Sequence, residues 1–147
     1  MGLNIYSQAS SGSAYSAGGT FTAPLTIIQD GKYGGITQKL MYVRNNDSTL
    51  WFSGTTLQVT DTIDPTLVNG TQNITWKLSA GNTQPTDAQW AAITTANTIS
   101  MANLGSTGSP DTSTYLPFWL QVVVPRSVEV QTNLDVQITI NTTSNSV

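Results

Sequence analysis

Alternating apolar and polar residues recur along much of the chain after residue 35. In residues 36–44, Met41 and Val43 fall on one face of an extended chain, and Leu40 and Tyr42 fall on the other. This alternation is typical of strands that bury only one face. The same pattern predicts further strands at residues 50–60, 74–78 and 134–140.

Other strands and the turns between them are predicted from composition. Residues 115–124 are almost continuously apolar, which predicts a central strand covered on both faces. A short apolar run at residues 25–28 predicts another strand, because a common hairpin-turn pair follows at residues 30–31. Gly54 predicts a bulge inside its strand. The Gly- and Ser-rich residues 105–111 predict a long flexible loop.

One segment predicts a helix. Thr86 and Gln89 stand three positions apart in the order of a capping box, in which each side chain bonds the other residue's backbone. Trp90 and Ile93 follow on one helix face and are expected to dock on a sheet. The β-branched Thr94 disfavours a long continuation, so we expect about two or three turns.

Together these elements predict an all-β fold. Residues 99–101 and the alternating residues 128–131 predict two more short strands. Seven or eight short strands, with turn residues every ~8–12 positions and one short helix in a long connection, are typical of an antiparallel β-sandwich. The jelly-roll and immunoglobulin-like kinds both fit this pattern. We expect the sandwich to comprise residues 25–147, with Trp76 in its core.

Residues 1–24 differ in composition from the rest of the chain. Residues 7–20 are rich in Ser, Gly and Ala and contain no charged residue, which predicts an extended N-terminal arm. Two interpretations of this arm remain open. It either lies on its own domain, for example as a first edge strand, or is held by neighbouring subunits. In the second case its anchors are Leu3, Ile5, Tyr6, Tyr15 and Phe21.

Composition narrows the possible partners. Charged residues make up 9% of the 147 residues, against ~25% in an average globular domain. Thr, Ser, Asn and Gln together fill 60 positions, so the surface is polar and nearly uncharged. With five Lys and Arg residues and a net charge of −3, no nucleic-acid partner is expected. The apolar runs are short, so no membrane partner is expected either.

The residues that most enzymes and metal sites use are scarce. The chain has no Cys and no His, which removes thiol nucleophiles and the commonest general base and metal ligand. Glu129, the only Glu, lies in a predicted strand and is expected to face solvent. Asp61 and Asp64 have oxygen ligands that suit Ca²⁺, but turn formation explains both more simply. We therefore expect no enzyme activity, no metal and no cofactor.

Adjacent aromatic residues occur twice in the predicted strands. Neighbouring strand residues point to opposite faces, so one member of each pair, Trp51–Phe52 and Phe118–Trp119, faces away from the core. Trp51 and Trp119 are the candidates for these outward positions. Either they pack against a helix or a partner, or they form a platform on which sugar rings stack.

Four stretches carry a resemblance to a known group of proteins. They read LMYVRNND at residues 40–47, WKLSAG at 76–81, PTDAQWAAI at 85–93 and LPFWLQVVVP at 116–125. Together they resemble small β-sandwich virion proteins of tailed bacteriophages, over residues 25–142. The resemblance rests on strand and turn residues and transfers no site residues. It implies a structural protein of the virion, made in the host cytoplasm.

Within such a particle, we expect a capsid decoration (cement) protein that stabilises the phage head by binding the major capsid protein. It is also expected to bind its own copies, as a homotrimer. Low charge favours this role, because charges buried at an interface lose their hydration. The first alternative is a tail, neck or baseplate component. The second is a carbohydrate- or receptor-binding module.

Overall fold

The computed structural model describes residues 2–10, 12–17, 20–21, 25–61, 74–127 and 136–147. Eleven strands and one helix lie in this part of the chain. In chain order they are β1 (Leu3–Tyr6), β2 (Ser16–Ala17), β3 (Thr20–Phe21), β4 (Gly35–Asn45), β5 (Leu50–Asp61), β6 (Thr75–Ala80), α1 (Asp87–Ala92), β7 (Thr98–Ser100), β8 (Gly105–Ser106), β9 (Ser109–Pro110), β10 (Leu116–Val124) and β11 (Val136–Ser146).

Two antiparallel sheets form the body of the protein. The larger sheet has the strand order β1-β4-β10-β6, and the smaller has the order β11-β5-β7. Two short hairpins, β2-β3 and β8-β9, accompany them. The chain passes from one sheet to the other between β4 and β5, through a tight turn that begins with Asn46 and Asp47.

The two sheets enclose one hydrophobic core. The larger sheet contributes Met41, Val43 and Phe118, and the smaller sheet contributes Leu57 and Val59 to the same cluster of buried side chains. Burial of one face of each sheet explains the alternation along these strands. The predicted all-β, sandwich-like fold is therefore confirmed.

Strand β10 occupies the centre of the larger sheet, as its apolar sequence predicts. Phe118 stands opposite Met41 of β4 on one side and Ala80 of β6 on the other. Gln121 is also buried, although it points away from the core, so both faces of β10 are covered. Trp76 lies at the margin of the core, where it is half-buried.

Gly54 forms the predicted bulge in β5. The register between β5 and β11 shifts here, so that Gly54 and Thr55 together face Thr142. Gly54 has a φ of 61°, a left-handed conformation that costs a residue with a side chain roughly 1–2 kcal/mol. The extra residue brings Thr55 inward, where its hydroxyl is 2.8 Å from that of Thr142. The bulge thus decides which residues of β5 face the core.

Helix α1 begins as predicted but is shorter than expected. The amide of Gln89 donates to the Thr86 hydroxyl, and the Thr86 amide donates to the Gln89 side chain, which completes the capping box. The helix has only six residues, because Ile93 is already extended, with a ψ of 132°. Trp90 is 2% exposed and docks on the larger sheet, as predicted.

Two predicted segments differ from the structure. Residues 25–28 form no strand. Leu25 and Ile27 reach the core, but Ile28 is 89% exposed, so the run is not buried as a unit. Residues 105–111 are not an open loop, because β8 and β9 pair as a hairpin around Gly108, whose φ is 74°. The turn predicted around Asp61 and Asp64 lies outside the described residues after its first position, and so does Glu129 with the strand predicted around it.

The N-terminal arm requires a correction at its first residues. Residues 3–6 form β1, an edge strand of the larger sheet, so the sandwich begins before residue 25. Leu3 and Ile5 are 7% and 8% exposed and belong to the core. Their side chains therefore pack within the chain's own core, as the interpretation of these residues as a first edge strand expects. Leu3 stands opposite Asn45 and Ile5 opposite Val43 of β4, and both apolar side chains are buried.

Candidate interaction surface

The outer face of the larger sheet carries a concentrated group of aromatic and cationic side chains. Alternation along β4 puts Tyr42 and Arg44 on this face, because Met41 and Val43 point into the core. Tyr6 stands directly opposite Tyr42 in the neighbouring strand β1. The three outward side chains are only partly buried, so they remain accessible to a partner.

Tyr115 joins these side chains into one surface. It immediately precedes β10, and its ring centroid lies 5.7 Å from that of Tyr6 and 6.4 Å from that of Tyr42. Both pairs meet edge to face, an arrangement that aromatic quadrupoles favour. We call Tyr6, Tyr42, Arg44 and Tyr115 the tyrosine–arginine patch.

The guanidinium of Arg44 has a fixed position in this patch. Its Nε donates to the carbonyl of Thr112 over 2.8 Å, and its Nη1 donates to the hydroxyl of Tyr115 over 2.7 Å. The guanidinium carbon lies 4.9 Å from the centroid of the Tyr115 ring. Because both acceptors are uncharged, these bonds orient the cation without neutralising it.

Helix α1 and the loop before it cover the next part of the same face. The indole Nε1 of Trp90 donates to the side chain of Gln38, and the amine of Lys77 donates to the carbonyl of Trp90. Nearer the patch, the indole of Trp119 donates to the carbonyl of Asn82. The outer face is therefore covered around Gln38 and open around the tyrosine–arginine patch.

The loop that leads into Tyr115 is held by one carboxylate. Oδ1 of Asp111 accepts from the amides of Ser113 and Thr114 and from the hydroxyl of Ser113, each over 3.0 Å. A hydrogen bond from the Thr114 side chain makes the largest contribution to lowering the pKa of Asp111 to about 2. The same loop contains Thr112, whose carbonyl binds Arg44. Asp111 thus supports one side of the patch.

This lowered pKa predicts a pH-dependent contribution to stability. An unfolded Asp has a pKa of about 3.9, so the contribution is present above about pH 4 and is lost as the pH falls towards 2. Asp111→Asn should lower the free energy of unfolding at pH 7 by less than about 1 kcal/mol, because the carboxylate lies close to solvent, which screens its charge. The loss should vanish near pH 2, as denaturant unfolding of both proteins at several pH values would reveal. An equal loss at pH 7 and pH 2 would show that the charge plays no part.

The structure distributes the remaining predicted interface residues over several places. Tyr6 and Trp119 lie on the outer face of the larger sheet. Tyr15 is partly buried against the core, its amide donates to the carbonyl of Ile5, and burial raises the pKa of its hydroxyl. Phe21 belongs to the short hairpin of β2 and β3.

Trp51 and Trp119 do not share a surface. Phe52 and Phe118 both point into the core, so their tryptophan neighbours point outward from the smaller and the larger sheet respectively. Trp51 packs beside the β8-β9 hairpin, where a Cβ added at Gly105 would lie 2.7 Å from the Trp51 Cβ. The two indoles are therefore on opposite sides of the sandwich, and no single sugar platform contains both.

Tyr42, Arg44 and Tyr115 are not among the interface residues predicted from the sequence. The alternation in β4 places Tyr42 and Arg44 on one face, and that signal was sufficient to group these two residues. Tyr115 is separated from them by about 70 positions, and no local pattern indicates that the strand pair β4-β10 brings it beside Arg44.

No cluster of metal ligands occurs in the described part of the chain. No three His, Cys, Asp or Glu side chains there lie together in a way that could hold a metal ion. Asp61 is buried at the end of β5. Nor does the described part of the chain contain a helix long and apolar enough to cross a membrane. The chemistry available at the patch is aromatic packing, hydrogen bonding and one positive charge.

Comparison of the chain with protein-family models, with curated proteins and with solved structures gives no match. Its function must therefore be inferred from its own surfaces.

Proposed function

We propose that this chain is a structural protein that acts by binding another protein through the tyrosine–arginine patch. The observation that carries the proposal is the cluster of three tyrosines and one oriented arginine on an open sheet face. Tyr and Arg are enriched where binding energy concentrates at protein interfaces. Rigid aromatic side chains also lose little conformational entropy on binding.

The low charge of the chain supports the same role. A partner that covers the patch desolvates one arginine, and the surrounding Thr, Asn and Gln side chains offer hydrogen bonds without a large desolvation cost. We propose further that the partner belongs to a virus particle, with the major capsid protein as the first candidate, as the resemblance to phage virion proteins implies. Many copies on one shell then make individually weak contacts effective.

The proposal is tested by measuring how many copies of this protein each purified virus particle contains. Quantitative mass spectrometry against the major capsid protein should find hundreds of copies per particle if the chain decorates the head. Tens of copies or fewer would overturn the decoration role and indicate a tail, neck or baseplate component. Absence from the particles would overturn the structural role altogether.

The same preparations distinguish a protein partner from a sugar partner. The purified protein should bind capsid shells from which it is missing. Free glycans should not compete with the shells for this binding. Competition by a glycan, with loss of glycan binding in Tyr115→Ala, would overturn the protein-binding proposal. It would make the patch a sugar-stacking surface instead.

A further inference from the structure

We propose that β11 is the edge through which two copies of this chain pair, as antiparallel strands related by a two-fold axis. β11 is the outermost strand of the smaller sheet, and on one side it pairs with β5 along Val136–Ser146. Among the described residues, no strand pairs with its other side. The tyrosine–arginine patch lies on the other sheet, so this inference does not depend on the proposed function.

The edges of the larger sheet are covered by specific contacts. At β6, the amide of Trp76 donates to the Thr95 hydroxyl, and Asn97 bonds both the amide and the carbonyl of Leu78. At β1, the amide of Tyr15 donates to the carbonyl of Ile5. Several backbone groups at these edges are thus already occupied, which limits pairing with another chain.

β11 lacks the features by which natural edge strands avoid pairing. It contains no charged residue and no proline over eleven positions, whereas exposed edges are commonly protected by Lys, by Pro or by short length. Two copies of β11 can therefore approach in antiparallel order without placing like charges opposite each other.

The core is also left open along this edge. Leu57 and Val59 of β5 are 0% and 2% exposed, but their partners Ile140 and Ile138 in β11 are only partly buried. A strand added beside β11 would cover both isoleucines. This apolar surface gives pairing a driving force in addition to the backbone hydrogen bonds.

The lengths of the edge strands indicate that the strand added beside β11 is the β11 of a second copy. The other strands at sheet edges, β1, β6 and β7, have four, six and three residues. Among the described strands, only a second β11 offers an open edge of matching length, and identical edges that pair produce a two-fold dimer. The homotrimer expected from the sequence would need a different contact.

The regular part of β11 sets the register that we propose. The strand is regular up to Asn141, where the shift opposite the Gly54 bulge begins. Centring the contact on Thr139 keeps pairing within this part and brings Ile138 beside Ile140 of the second copy. Thr139 then faces its own counterpart across the axis.

A single engineered cysteine tests this arrangement. The chain has no cysteine, so a Thr139→Cys variant carries one thiol. Directly opposed strand residues have Cα atoms about 4.5–5.5 Å apart, within the range that a disulfide spans. Mild oxidation should give a covalent dimer rapidly. Gln137→Cys and Asn141→Cys examine registers centred two residues to either side, and Thr98→Cys, on the opposite edge of the same sheet, is the matched control.

A charged side chain at the same position tests the pairing without forming a covalent bond. Wild-type protein should sediment as a dimer at high concentration. Thr139→Lys should raise the dimer dissociation constant by about tenfold or more, because it places two like charges together. Thr98→Lys should leave the constant within about twofold, and thermal unfolding confirms that both variants fold. A monomeric or trimeric wild type, or crosslinking at residues 137, 139 and 141 no faster than at 98, would overturn the pairing.

Discussion

Replacing Phe118 by alanine should lower the free energy of unfolding by about 3–5 kcal/mol. Phe118 is the largest fully buried side chain among the described residues, and it lies in an inner strand of the larger sheet with the smaller sheet beneath it. Its removal leaves a cavity that neither sheet can close, because both are held in register by their neighbours. A domain of this size is stable by only about 5–15 kcal/mol, so the variant should be marginal.

The neighbouring residue provides a matched control for this prediction. Trp119 is larger than Phe118, but it faces outward, is partly exposed and makes one hydrogen bond, to the carbonyl of Asn82. Trp119→Ala should therefore cost only about 1–2 kcal/mol. Urea unfolding of both variants measures the difference. A larger loss for Trp119→Ala than for Phe118→Ala would mean that the faces of β10 are assigned in the wrong sense.

Tyr115→Ala is expected to weaken binding of the chain to decoration-free shells by about 30-fold, or about 2 kcal/mol. Tyr115 contacts the other two tyrosines of the patch and accepts from Arg44, so its loss separates the whole cluster. The same substitution should reduce stability by only about 1–2 kcal/mol, since the ring is partly exposed. Titration of labelled protein onto purified shells measures the binding loss.

Two further variants test whether the loss of binding in Tyr115→Ala is specific to the patch. Tyr33→Ala removes a tyrosine that is 65% exposed and lies outside the patch, and binding should stay within about twofold of wild type. Tyr115→Phe keeps the ring contacts but removes the acceptor for Arg44 Nη1, so its binding should fall between the two. Equal losses for Tyr33→Ala and Tyr115→Ala would show that the patch has no special role.

Much of the fold could be predicted from local patterns. The strands around β4, β5, β6, β7 and β10, the bulge at Gly54 and the capping box of Thr86 all follow from residues that lie close together in the chain. Side-chain alternation, the left-handed preference of glycine and N-terminal capping are local effects, and local sequence is enough to specify them. The composition likewise indicated a polar surface that is nearly uncharged.

The elements that the sequence left open or misjudged depend on distant partners. Residues 3–6 look like the beginning of a tether, and only the presence of β4 beside them makes Leu3 and Ile5 part of the core. Residues 105–111 look like an open loop, but Gly108 lets them turn back as a hairpin beside β5. Composition describes how a segment behaves alone, and tertiary contacts can outweigh that tendency.

The sequence by itself determined that this protein is an all-β chain with few charges, no thiol and no imidazole, because these properties are set by local pattern and composition. Only the tertiary structure decided where the outward residues meet. Strand order brings Tyr115 beside Arg44, sets Trp51 and Trp119 on opposite sides, and leaves β11 at an edge. Strand order depends on which distant segments pair, and the local pattern of a strand does not by itself fix its partner.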